Sequence, residues 1–317
     1  GFHTPPMLGQ EEAISAQNRM RWEDLIRAYA GTVVEGLVFA LLGLVALSLT
    51  LFDRSDRVYL WIGALLLLIA TAWAYLFRLA AGMAMPPQAA PMPGMDMGAA
   101  MAPAVKRFDV TDMLLTFVMW FVMMVGMMAP AVTPTILLYA RVGRMAALQQ
   151  KPFAPAGWFA GGYFLAWSGF SLGATAAQIG LRDAMLLTAM LKSASDLLSG
   201  IALIVAGLYQ WSPWKNACLE HCRAPLFFIQ RHGGFRPQAG ASLLLGARHG
   251  LYCIGCCWAL MLLLFVGGVM NIAWIAGLAT LVLAEKLWSR GRHLSRVAGA
   301  AALAGGLFLI VRYFGVW

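Results

Sequence analysis

The sequence is short of charge. Asp, Glu, Lys and Arg make up 12% of its 317 residues, against 61% hydrophobic residues and a mean hydropathy of +0.73, whereas a soluble globular domain carries about a quarter charged residues. That scarcity excludes a fold solvated by water on all sides. No G-x-x-x-x-G-K-[ST] loop and no G-x-G-x-x-G after a strand occurs, which excludes an ATP-driven pump and a dinucleotide domain. C-x-x-C-H is absent, so c-type haem attachment is excluded as well. The weak apolar/polar alternation of an outer-membrane barrel is also missing. The net charge of +9 calls for no nucleic acid, because Arg and Lys gather between the apolar runs, as they do in cytoplasmic loops of membrane proteins.

What is present is a series of apolar runs of about twenty residues, long enough to cross hydrocarbon as helices. They predict an all-α polytopic transmembrane bundle of about eight spans. The spans fall near 32–52, 58–79, 112–139, 157–179, 197–211, the run through 249–268, 272–287 and 297–314. Residues 1–30 form a polar, interfacial segment, in which Arg19, Arg21 and Arg27 are interleaved with Trp22, Leu25 and Ile26. It begins with Gly and lacks the layout of a signal peptide, so a start that is processed or introduced by expression is expected. Residues 31–82 hold the first two spans, 83–108 a methionine-rich extracytoplasmic loop, and 109–317 the helical membrane core. The connections after the odd-numbered spans hold the larger share of Arg and Lys, among them Arg141, Arg144, Arg290, Arg292 and Arg296. This places them in the cytoplasm of a bacterial inner membrane, with the methionine loop periplasmic. Gly169-x3-Gly173 is spaced for close helix contact. Pro130 and Pro134 should kink the third span and free backbone carbonyls that protein must satisfy. Trp211-Ser-Pro-Trp214-Lys215 reads as an aromatic belt with a basic anchor, and Glu285-Lys286 as a pair snorkelling to the interface, in preference to an intramembrane acid and its partner.

The chemistry lies in soft donors. Three of the five cysteines fall in His249-Gly-Leu-Tyr-Cys253-Ile-Gly-Cys256-Cys257-Trp258. At 3.6 residues per turn, His249, Cys253 and Cys256 share one helical face, with Cys257 beside Cys253 one turn on. Thiolate and imidazole favour copper(I), zinc or iron. Cys218, His221 and Cys222 form a second Cys/His/Cys group at turn spacing. Met92, Met95 and Met97 sit in the Pro/Gly/Ala loop, where no core needs filling, and clustered thioethers suit copper(I). Met123, Met127 and Met128 belong to a stripe with Met119 and Met124 that reads equally as packing. Free cysteine, too, packs as a small apolar residue. Copper is the expected metal; zinc, iron and haem b, which needs only one or two axial ligands, stay open.

Three stretches carry a resemblance: Met119-Trp120 through Met127-Met128-Ala-Pro130, Tyr209-Gln210 with Cys218 and Cys222-Arg223-Ala-Pro225, and His249 through Trp258 to Met270-Asn271. Over roughly 110–290 the chain resembles the predicted metal-binding integral membrane proteins grouped as domain of unknown function 2182. The resemblance implies a polytopic membrane protein that binds metal. Outer methionines and inner thiols together point to copper(I) transport, or to delivery to a membrane cuproenzyme, in metal homeostasis. The partners expected are the lipid bilayer, other membrane subunits and the cuproenzyme. The competing reading is a membrane metalloenzyme, or a subunit of a redox or oxygenase complex, with a copper or iron centre. A thiol-disulfide carrier using Cys256 and Cys257 is the third.

Overall fold

A computed structural model describes residues 58–84, 110–188, 191–193 and 195–315. The expected first span at 32–52 and the loop holding Met92, Met95 and Met97 lie outside the described residues. Among these the protein is helical, with one isolated β-bridge between Leu187 and Ser193 and no strand. In chain order the elements are α1 (Val58–Ala84), α2 (Val110–Leu148), α3 (Ala156–Asp183), α4 (Asp196–Gln210), α5 (Pro213–Arg223), α6 (Pro225–Arg231), α7 (Ala239–Leu262), α8 (Leu264–Gly267), α9 (Ile272–Leu287) and α10 (Gly291–Tyr313).

Four stretches are long and apolar enough to cross a membrane: Leu60–Ala81, Val110–Leu148, Ala239–Gly267 and Gly291–Tyr313. The helices α4 and α9 have 15 and 16 residues; at 1.5 Å per residue they reach about 22–24 Å, short of a hydrocarbon core of about 30 Å. The protein is therefore a helical membrane protein with at least these four candidate spans.

Local chemistry sets the element ends. Ser212 caps α5, its hydroxyl accepting from Lys215 N at 3.2 Å, and Pro213 occupies the first turn, where a missing N–H costs nothing. Asn271 caps α9 by accepting from Trp274 N at 3.2 Å, after Gly268 has turned the chain at φ 96°. Pro130 leaves the Gly126 carbonyl without its helical donor, and Trp73 Nε1 of α1 donates to that oxygen at 3.3 Å. With that partner supplied, α2 runs unbroken for 39 residues through both prolines.

α1 packs along α2, α3 along α7, and α4 along α10. Glycines permit the two closest seams. A Cβ at Gly246 would fall on the Phe159 carbonyl, and one at Gly162 on that of Leu243, so α3 and α7 meet backbone to backbone. Gly200 and Gly207 face Gly306 and Gly299 in the same way. Among the described residues nothing meets Gly169 and Gly173: a Cβ at either would find no atom of them within 4 Å. The spacing was right for a seam, but that face of α3 looks away from α7. The methionine stripe of α2 is buried, with Met123, Met124 and Met128 each at 0% exposure. It shares one core cluster with Cys253, Cys256 and Cys257.

Candidate functional site

The sulfur of Cys253 is the centre of the buried polar chemistry. It lies on α7, one turn after His249, and faces α3 and α9. Lys286 Nζ donates to it at 2.8 Å, and Tyr163 Oη lies 3.0 Å away. The Cys256 and Cys257 thiols both turn back to the Cys253 carbonyl, at 3.1 and 2.9 Å. From α5, Cys222 stands beside the thiols of Cys253 and Cys256. Those two contacts, ahead of burial, push the Cys222 thiol well above its ordinary range. Cys218 rests against α7 where Gly255 leaves room: a Cβ there would come within 2.9 Å of its sulfur. Burial raises the Cys218 thiol, and the neighbouring Cys256 adds to the rise. All five cysteines are free. Sequence spacing placed them in two groups; the fold brings them to one face of α7.

The α5 helix reaches that face because its Lys215, Cys218, Leu219 and Cys222 lie on one stripe at helical spacing. Lys215 is fully buried, and its Nζ meets Glu285 Oε2 of α9 at 2.6 Å. Gln210 Nε2 donates to the other carboxylate oxygen at 3.0 Å and accepts from Lys215 through its own oxygen. Two expectations are corrected here. Lys215 is not an interfacial anchor, although Trp211 and Trp214 beside it are exposed. Glu285 and Lys286 do not snorkel; they are 2% and 6% exposed. The turn at Ser212-Pro213 folds α5 back over the end of α9, so that charges at a span terminus meet protein rather than water. One ion pair neutralises Glu285, leaving Lys286 to be met by the Cys253 sulfur.

His221 does not join Cys218 and Cys222. Its Nδ1 donates to Ala217 O at 2.8 Å, and its ring stacks on Tyr252 with centroids 4.3 Å apart. His249 is buried among Phe159, Tyr163 and Phe228, and its Nδ1 has no hydrogen-bond partner among the described residues. Met127 and Met128 pack in the same core; Tyr163 Oη also approaches the Met128 carbonyl, at 3.5 Å.

Among the described residues no three His, Cys, Asp or Glu side chains are already gathered to hold a metal ion. At Cys253 the sulfur is met instead by the Lys286 ammonium. The donor types nevertheless suit a soft cation: neighbouring thiols in one core cluster, one sulfur already facing a cation, and an imidazole one turn away whose Nδ1 has no partner among the described residues. Sequence reasoning missed Tyr163 altogether, since a tyrosine in an apolar span carries no spacing signal. Lys286 was visible but assigned to the wrong environment.

The fold and this cluster define a helical membrane protein with a buried, thiol-rich polar centre. Residues 117–309 match the family model PpoB2, described as copper chaperone, and the chain belongs to that family. No curated protein and no solved structure matches it.

Proposed function

We infer that the protein binds copper(I) within a bacterial inner membrane and hands it on to a membrane cuproenzyme. Copper is the cargo. Cys253, Cys256, Cys257 and Cys222 are its principal ligands, with Cys218 and His249 at the edge of the set. The observation that carries this reading is the Cys253 sulfur facing a buried cation at 2.8 Å among neighbouring thiols, in a chain of a copper chaperone family. Thiolates in a water-poor setting hold copper(I) in preference to harder cations. Loading replaces the Lys286 contact with metal–sulfur bonds, and Tyr163 is placed to orient the Cys253 sulfur meanwhile. About eight spans would put both termini and the methionine loop outside, so that Met92, Met95 and Met97 would collect or release the ion there. Met123, Met127 and Met128 would line its way through the core.

Elemental analysis of protein purified without oxygen tests this, in parallel with the Cys253→Ser/Cys256→Ser/Cys257→Ser variant. The expected result is about one copper or more per chain, lost in the variant. Equal copper in both would remove the thiols from the role, and iron cycling with a substrate would move the reading to a metalloenzyme.

A further inference from the structure

A second group of donors lies outside the thiol cluster, where α5, α6 and α7 meet. His221 Nδ1 contacts the Ala217 carbonyl at 2.8 Å, and His232 Nδ1 the Phe228 carbonyl at 2.9 Å. A carbonyl only accepts, so in both rings Nδ1 carries the hydrogen and Nε2 keeps its lone pair. Such a backbone contact is also what fixes the tautomer of metal-binding histidines. The two rings are 6.0 Å apart between centroids, inclined at 67°. Tyr252 stacks on His221, and its hydroxyl lies 3.5 Å from His232 Nε2, a weak contact that a metal can replace. Both rings reach open cavities: His221 borders one of about 700 Å³, and His232 one of about 210 Å³. Inward, Phe228 has its ring centre 4.5 Å from that of His232 and 4.9 Å from that of His249. His249 has its unpartnered Nδ1 and precedes Cys253 by one turn.

We propose that His221 and His232 form an exchange site for copper(I), through which cargo passes between the membrane surface and the thiols by way of His249. The proposal rests on the copper reading above and adds a place to it. Two imidazole lone pairs suit a two-coordinate copper(I) ion. The larger cavity is lined by Arg223, Arg231, Arg292 and His293 against a single acid, Glu220, and would repel a bare cation. It fits copper(I) carried as an anionic bis-thiolate complex. Exchange breaks each carrier Cu–S bond as a Cu–Nε2 bond forms, with the oxidation state unchanged and the thiolates released among the arginines.

The experiment uses the full chain in lipid nanodiscs, without oxygen, with copper(I)–glutathione as the probe. In a variant with all five cysteines changed to serine, copper(I) should still bind, with a nitrogen shell in X-ray absorption that is distinct from any thioether sulfur. His232→Ala in that background should weaken binding by about tenfold or more. In the cysteine-containing protein, His232→Ala should slow loading by about tenfold, while copper content at equilibrium is kept. Unchanged loading in that protein overturns the exchange site even where the cysteine-free variant fails to fold. Absence of nitrogen-bound copper in a folded cysteine-free variant overturns it too. If the unaltered protein takes up no copper at all, the copper reading itself falls, and the exchange site with it.

Discussion

At the residue scale the decisive pair is Lys215 and Glu285. Neither is accessible to water, they meet at 2.6 Å, and Gln210 completes the carboxylate. Removing one partner of a buried ion pair leaves the other uncompensated, and the loss is typically about 3–5 kcal/mol. Glu285→Gln keeps the shape and removes the charge, so a loss of that order is expected in reversible unfolding, or as a marked fall in thermal midpoint. Because Lys215 shares its helical face with Cys218 and Cys222, the same variant should also free those two thiols for alkylation. A variant as stable and as unreactive as the parent would mean that the ion pair does not hold α5 in place. Lys286 differs from Lys215 in having a sulfur where a carboxylate would be ordinary, and this is why the thiol cluster and the charge network are one arrangement.

At the element scale the α3/α7 seam decides where Tyr163 stands relative to Cys253. Backbone approach at Gly162 and Gly246 brings the two helices close enough for the 3.0 Å contact between those side chains. Gly246→Ala puts a methyl group on the Phe159 carbonyl and must separate the helices, at a cost of about 1–3 kcal/mol or more. Gly169→Ala and Gly173→Ala meet no atom of the described residues and should be neutral, or stabilising by up to about 1 kcal/mol through helix propensity. Thermal unfolding of the three variants in one detergent gives the comparison. A destabilised Gly169→Ala beside an unaffected Gly246→Ala would reverse the assignment of the seam. The i, i+4 register of Gly169 and Gly173 was legible in the sequence; that α7 meets α3 at Gly162 was not, because spacing says nothing about which face another helix covers.

At the scale of the whole molecule, the thiols gather where α5, α7 and α9 converge. The distribution of Arg and Lys predicts that the connection holding α5 is cytoplasmic. A cysteine introduced at Gln150, in the exposed connection between α2 and α3, should then react with an impermeant maleimide only from the cytoplasmic side. One introduced at Gln88, within 83–108, should react only from outside. The opposite pattern would invert the proposed path of copper, with the thiols loaded from the periplasm.

Class and chemistry were both available from the sequence, because each depends on neighbours along the chain. Composition and apolar run length determine that the protein is helical and lives in a membrane. Turn spacing determines that His249, Cys253 and Cys256 share a face. The helical ends at Ser212-Pro213 and Asn271 follow from capping chemistry within three residues. What required the tertiary structure were the meetings of distant segments: Cys222 with Cys253 and Cys256, Lys286 with Cys253, Trp73 with the Gly126 carbonyl, and His221 with His232 rather than with the cysteines flanking it. A charged side chain at a span terminus can find water or a partner with equal local plausibility. Only the way α5 folds back over α9 decides that Lys215, Glu285 and Lys286 find partners.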